Sequence, residues 1–265
     1  AGTLKLGAAG TATDTPLGTT AAGTTVNSTG ALDLNGFTLG TAEGLTLNGT
    51  GVSSTGALTN SGGTASYSGD IALASASSVG GSGDITLSGI ISGANGLTKV
   101  GADTLTLTGS STFTGATTIA TNSGILNLQN NSALGAGTTG TTVNSGGTLA
   151  LQGGVTVSNG TLSLLGTGAG GIGALTNVSG SNTWNGSLSL LGNASITNPS
   201  GTLTLGATRP AFTISGHAQP TENGYLTIGN YTLTLSGNGT AVVVNDRIRD
   251  FAGQTAGTSY LNATT

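Results

Sequence analysis

The chain has no cysteine and no methionine, and only 5% of its 265 residues are charged. Without cysteine there are no disulfides and no thiolate-ligated metals. The same lack suits a chain exported unfolded through an oxidising periplasm, where a disulfide would trap it midway. Charged residues normally make up about a quarter of a soluble chain, so solubility here must come from Thr, Ser and Asn. The five cations are scattered against a net charge of −4. Nothing neutralises a phosphate backbone, which excludes nucleic acid as a partner. No apolar run approaches the ~18 residues of a membrane span, and no stretch forms a basic amphipathic helix. The sequence starts at Ala1 with neither an initiator Met nor a secretory apolar segment, as expected of a processed protein or of a segment of a longer one.

What is abundant is glycine, with 50 residues, together with Thr and Ser. Such a composition alone would suggest disorder, but Leu, Ile and Val recur at every second position in short bursts, and disordered tracts lack that regularity. The bursts include Leu32/Leu34, Leu45/Leu47, Ile71/Leu73, Ile85/Leu87, Leu105/Leu107, Leu126/Leu128, Leu149/Leu151, Leu162/Leu164, Leu203/Leu205 and Leu233/Leu235. Alternation buries one face of each strand and leaves the other wet. Gly-Thr, Asn-Gly, Ser-Gly and Gly-Gly turns lie between the bursts.

Self-similarity decides among the folds that could use such strands. Residues 26–73 align without gaps to 143–190 at an offset of 117, matching VNSTGALDLNG with VNSGGTLALQG, LTLNGTG with LSLLGTG, and GALTN with GALTN. Upstream, GTLKLG near Leu4 matches GILNLQ near Leu126 at an offset of 122. A weaker echo places LTIGNYTLTL, from Leu226, on LDLNGFTL, from Leu32. A long repeat implies translational symmetry along an axis, which closed barrels lack. Aromatics at 3% are too few for a sandwich core, whereas small residues suit a narrow core in which Leu stacks on Leu. The expectation is an all-β, right-handed parallel β-helix. Coils of roughly 20 residues would give about 12–13 turns and a rod on the order of 60 Å long. It would be continuous over 1–240, with repeat copies at about 2–80 and 124–197, leaving 241–265 as a divergent last coil, a cap or a subunit contact.

The segment GLTKVGADTLTLTGSSTFTGATTIATNSGILNL, from Gly96, resembles the autotransporter-associated β-strand repeat. Its elements fall at Leu97 to Gly101, Thr104 to Gly109, Phe113 to Thr118 and Gly124 to Leu128, and the preceding ITLSGIISG extends the motif over about 85–128. The resemblance implies a β-helical passenger exposed on the outside of a bacterium. The chain departs from that family in ending YLNATT without the translocator barrel's ~10-residue membrane strands.

Candidate sites are sparse. Glycoside hydrolysis needs two carboxylates facing one bond. The nine acids (Asp14, Asp33, Glu43, Asp70, Asp84, Asp103, Glu222, Asp246, Asp250) mostly stand alone in turns and are expected to be solvated. His217, the single histidine, lacks a nucleophile elbow or metal partners and reads as a loop residue. GGSGD from Gly80 falls one residue short of a calcium repeat and reads as a turn. Ice binding would need Thr-x-Thr pairs in one column, but Thr104/Thr106, Thr202/Thr204 and Thr232/Thr234 are 98 and 28 residues apart. Trp184 aligns with Tyr67, as core aromatics near a coil corner or as a sugar-stacking platform. The one dense charge group, Asp246, Arg247, Arg249 and Asp250, is either an exposed loop or an inter-subunit contact. Asn-x-Ser/Thr sequons such as Asn27, Asn48, Asn177 and Asn230 follow from composition.

No catalytic residue, metal or cofactor is expected. The expected function is an extracellular structural rod on a bacterial surface. The tail YLNATT joined to the head AGTLKLG reproduces the family's own ATT…AGTLxLG passage, so the expected partner is a second copy, stacked head to tail through open β-helix ends. The same match fits a window cut from one longer polypeptide. Alternatives are an adhesin segment binding glycans or surfaces and, on fold analogy alone, a polysaccharide-active enzyme.

Overall fold

The computed structural model describes residues 1–11, 14–137, 139–206, 225–227, 231–239, 241–244, 247–249 and 261–263. Each Leu-x-Leu burst lies in or against a strand, and its apolar side chains enter one continuous core. The strands pair in parallel and stack in ladders, so the chain winds as a parallel β-helix with three faces. Among the described residues a single pairing is antiparallel, the small hairpin of Asp14–Thr15 with Gly18–Thr19. The outer faces of the ladders carry water-facing polar residues. That explains why these parallel strands alternate instead of being apolar throughout, as they are when both faces are covered.

Face A begins with Thr24–Val26, Leu45–Gly49, residues 71–73 and Ile91–Ser92. Face B holds nine stacked strands, from Gly2–Lys5 and Gly30–Asp33 through Leu97–Gly101 and Thr117–Ile119 to residues 188–190. Face C is the longest ladder. Its ten strands run from Thr38–Leu39 through Ala65–Tyr67, Ile85–Leu87, Thr104–Leu107, Gly124–Leu128 and Gly147–Gln152 to Leu233–Ser236 and Leu261–Ala263. Ten rungs make nine steps of about 4.8 Å, roughly 43 Å along the axis. Among the described residues the ladders therefore give fewer, longer coils than the 12–13 expected. The spacing is 20 residues from Ile85 to Leu105, but 28 from Leu4 to Leu32 and 39 from Ile196 to Leu235.

Inward positions stack like on like. On face C they form the column Ala65, Ile85, Leu105, Leu126, Leu149, Leu175 and Ile196, all of them buried. Burying each such Leu or Ile contributes about 1.5–3 kcal/mol. In the place that face A holds in the first coils, Thr156–Val157, Ser181–Trp184, Thr202–Leu205 and Ala241–Val244 form a four-stranded parallel ladder. Residues 241–265 thus contribute three strands to parallel ladders, Ala241–Val244, Arg247–Arg249 and Leu261–Ala263.

The internal repeat is conserved in structure down to single dihedral angles. Val52–Ser54 and Ala169–Gly171 are the equivalent 3-10 turns. Each is entered by a glycine at matching angles, Gly51 (φ 79°, ψ −174°) and Gly168 (φ 82°, ψ 178°). A Cβ on either would lie within about 2 Å of a carbonyl oxygen across the turn, Gly56 O or Gly173 O. The two copies are nevertheless not aligned along the axis. Val26, Leu47 and Leu73 stack on face A, whereas their counterparts Val143, Leu164 and Leu190 stack on face B. Counting rungs on face B from Leu32 through Leu58, Val79, Lys99 and Ile119 to Val143 shows why. An offset of 117 residues is five coils plus one face, so the second copy is advanced by about a third of a turn.

Candidate functional site: buried charges and an open edge

The acids do not behave as solvated turn residues throughout. Asp33, Glu43 and Asp103 are buried, which corrects the expectation for three of the nine. Asp33 lies on an outward position but is covered by the next coil. Its carboxylate accepts from Ser61 Oγ (2.6 Å), Ser61 N–H (2.9 Å) and Asn35 N–H (2.9 Å), with Lys5 Nζ at 3.9 Å. Burial pushes its pKa up, but these donors and the Lys5 charge outweigh burial and hold it below the ordinary value. Glu43 accepts from the hydroxyls of Thr15 and Thr24, the latter at 2.6 Å. Its backbone carbonyl accepts from Tyr67 OH at 2.7 Å. Burial first, and the Glu43 charge second, push the Tyr67 phenol above its ordinary range.

The exposed acids also tie coils together. Asp70 accepts from Ile90 N–H and Asp84 from Thr104 N–H, each at 2.8 Å and each twenty residues along the chain. Carboxylates thereby satisfy backbone donors at corners where the ladder hydrogen bonds lapse. Among the described residues no group of three His, Asp or Glu could hold a metal ion.

One ion pair lies wholly inside the core. Lys99 and Asp103 have fully buried side chains 2.8 Å apart. Lys99 occupies an inward rung of face B between Val79 and Ile119. Its ammonium shares its three protons among four acceptors, Val100 O (2.7 Å), Gly101 O (2.9 Å), Ser123 O (2.7 Å) and Asp103 Oδ1 (2.8 Å). Asp103 Oδ1 also accepts from Gly81 N–H of the preceding coil at 3.0 Å, while Oδ2 has no partner. Burial pushes Lys99 down from its ordinary value and Asp103 up, each against the pull of the other's charge. Alternation could have found the lysine, since Leu97, Lys99 and Gly101 share the inward parity of their strand. The resemblance motif contains the residue, but composition alone classes a lysine as surface.

The remaining candidates separate. Thr104/Thr106 lie on face C, while Thr202/Thr204 pair with Ser181–Trp184 in another ladder, so the Thr-x-Thr pairs do not form one rank. A mixed hydroxyl column does exist on face C: Thr38, Ser66, Thr86 and Thr106 occupy successive rungs before Asn127 and Ala150 interrupt it. Tyr67 and Trp184 are fully buried, which removes them as a sugar platform. In GGSGD, Gly80 and Gly81 end the strand Ile71–Gly81, and the turn is confined to the residues after them. Asn177 is buried inside the core and donates to Asn198 Oδ1 (2.7 Å) one rung on, so it is no glycan acceptor. Arg247 and Arg249 lie on the strand Arg247–Arg249, paired with Tyr225–Thr227. Asp246, Asp250, Glu222 and His217 lie outside the described residues.

At one end of face B, Gly2–Lys5 pairs with Gly30–Asp33 on one side. On its other side it has no partner strand among the described residues. Leu4 stacks on buried Leu32 yet is itself 57% exposed, the most exposed large apolar side chain among the described residues. No protein-family model, no curated protein and no solved structure matches this chain.

Proposed function

We propose that the chain is an extracellular structural β-solenoid of a bacterial surface protein, a stalk or fibre segment that extends by stacking end to end. The observation that carries this reading is the stack of parallel rungs on faces B and C, whose inward side chains form one continuous core with like residues on like. Backbone groups at an uncapped β-helix end accept a further coil by strand addition. Such a contact joins unlike surfaces and propagates instead of closing. The described acids support the same reading, because their hydrogen bonds tie coil to coil instead of converging on a cleft. The low charge makes the rod insensitive to salt. The resemblance of residues 85–128 to the autotransporter-associated repeat supplies the cellular setting.

Electron microscopy of the purified chain in dilute neutral buffer tests the proposal. Uniform fibres with an axial spacing near ~4.8 Å are expected, and Leu4→Lys, which puts a charge on the rung of Gly2–Lys5, should abolish them. Short separate particles from the parent chain would overturn the stacking reading and leave adhesion, tested by a glycan array, as the alternative.

A further inference from the structure

A rod built from near-identical Leu-x-Leu rungs has a specification problem. Within the ladders, many apolar rungs can stack on one another at little cost, because their inward residues and outward hydroxyls are almost interchangeable. Strand register is strongly set only where a mismatch is expensive. We propose that the Lys99–Asp103 pair, together with the Gly80–Gly81 corner beneath it, is a register lock that fixes which coil stacks on which.

Two independent features carry the proposal. The first is the charge. Every other inward residue in that column of face B is apolar, from Leu32, Leu58 and Val79 on one side to Ile119, Val143, Leu164 and Leu190 on the other. The pair spans three coils, since Asp103 holds Gly81 N–H behind it and Lys99 holds Ser123 O ahead of it. A slipped coil would strip the buried ammonium of Ser123 O and the buried carboxylate of Gly81 N–H, and a buried charge with unsatisfied partners is strongly disfavoured. The pair is also not arranged for maximal stability, because Asp103 Oδ2 is buried and bare. Charge placed in a core at a cost, yet confined to one alignment, is the pattern of a registry device.

The second feature is steric. A Cβ on Gly80 would lie 1.6 Å from Val100 O, and one on Gly101 would lie 2.2 Å from Gly81 O. The coil of Lys99 therefore packs directly on a pair of glycines. In the register of face B the position of Gly80 is held by Thr59 one coil before and by Ala120 two coils after. A coil at either of those places would drive a Cβ into the Val100 carbonyl. Charge and shape thus select the same neighbour.

Because the chain lacks cysteine, register can be read by cross-linking. Thr98 and Thr118 are register partners on adjacent rungs, so Thr98→Cys with Thr118→Cys should oxidise to a disulfide after refolding from denaturant. The neutral, similarly shaped pair Lys99→Met with Asp103→Asn is then added. Lys99→Met takes the donor from the carbonyls of Val100, Gly101 and Ser123, so a lower denaturation midpoint is expected, and the cross-linked fractions are compared after refolding under conditions of equal fractional folding. There the double variant should show a several-fold lower cross-linked fraction. An unchanged cross-linked fraction would show that the pair sets no register.

Discussion

Leu105→Ala is the sharpest test of a core built as a single stack. Leu105 is fully buried between Ile85 on one rung and Leu126 on the next. The rung spacing is fixed by backbone hydrogen bonds, so the flanking side chains cannot move together to fill the space left behind. Leu→Ala in cores costs about 2–5 kcal/mol, rising with the cavity that remains. A stack that cannot collapse belongs in the upper part of that range, about 3–5 kcal/mol. Urea denaturation reads the loss, with Thr106→Ala on the outward side of the same strand as a control expected within about 0.5 kcal/mol of the parent. In a solenoid each coil touches only its neighbours. Hydrogen exchange should therefore quicken at Ile85–Leu87 and Gly124–Leu128 and stay unchanged at Gly30–Asp33. A loss under about 1 kcal/mol, or a fall in protection that is even along the rod, would refute the stacked-core reasoning.

Other expectations follow from single residues. Ser53 and Ser54 sit at φ 51° and 61°, where the second copy has Gly170 and Gly171, so Ser53→Gly and Ser54→Gly should each stabilise by about 0.5–1 kcal/mol in thermal unfolding. Asp33 has a folded pKa below its ordinary 3.8, so the stability it confers is present above that value and is lost as pH falls from there through the lower folded pKa. Asp33→Asn should flatten the decline in denaturation midpoint between pH 7 and pH 3, and an unchanged slope would count against the Ser61 contacts. Trp184, the single tryptophan, is fully buried and should emit in the blue and resist acrylamide until the chain unfolds. Ready quenching in the folded state would place it on the surface.

The fold was legible because alternation and turn residues are local signals. Ile85/Leu87 and Leu105/Leu107 announce both their strands and their inward faces. The number and phase of the coils were not, because those depend on how many residues each corner absorbs. The 20-residue step from Ile85 to Leu105 and the 28-residue step from Leu4 to Leu32 look alike in their bursts. The buried charges escaped for two different reasons. Lys99 stands at an inward parity that was open to reading, and identity masked it. Asp33 stands at an outward parity and is buried only because Ser61 of the following coil folds over it, which no local pattern encodes. The register that places Leu4 on Leu32 is likewise a property of the coil and not of any local pattern.

The third-of-a-turn advance between repeat copies has a mechanical consequence. The 3-10 turns at Val52–Ser54 and Ala169–Gly171 thicken one side of the rod wherever they occur. Were the copies in phase, every thick side would lie along one flank, and the rod would be stiff in one plane and compliant in the other. Stepping each copy to the next face spreads the reinforcement around the axis. With the two turns on two of the three sides, the compliance of the rod is less one-sided than it would be with both on one flank.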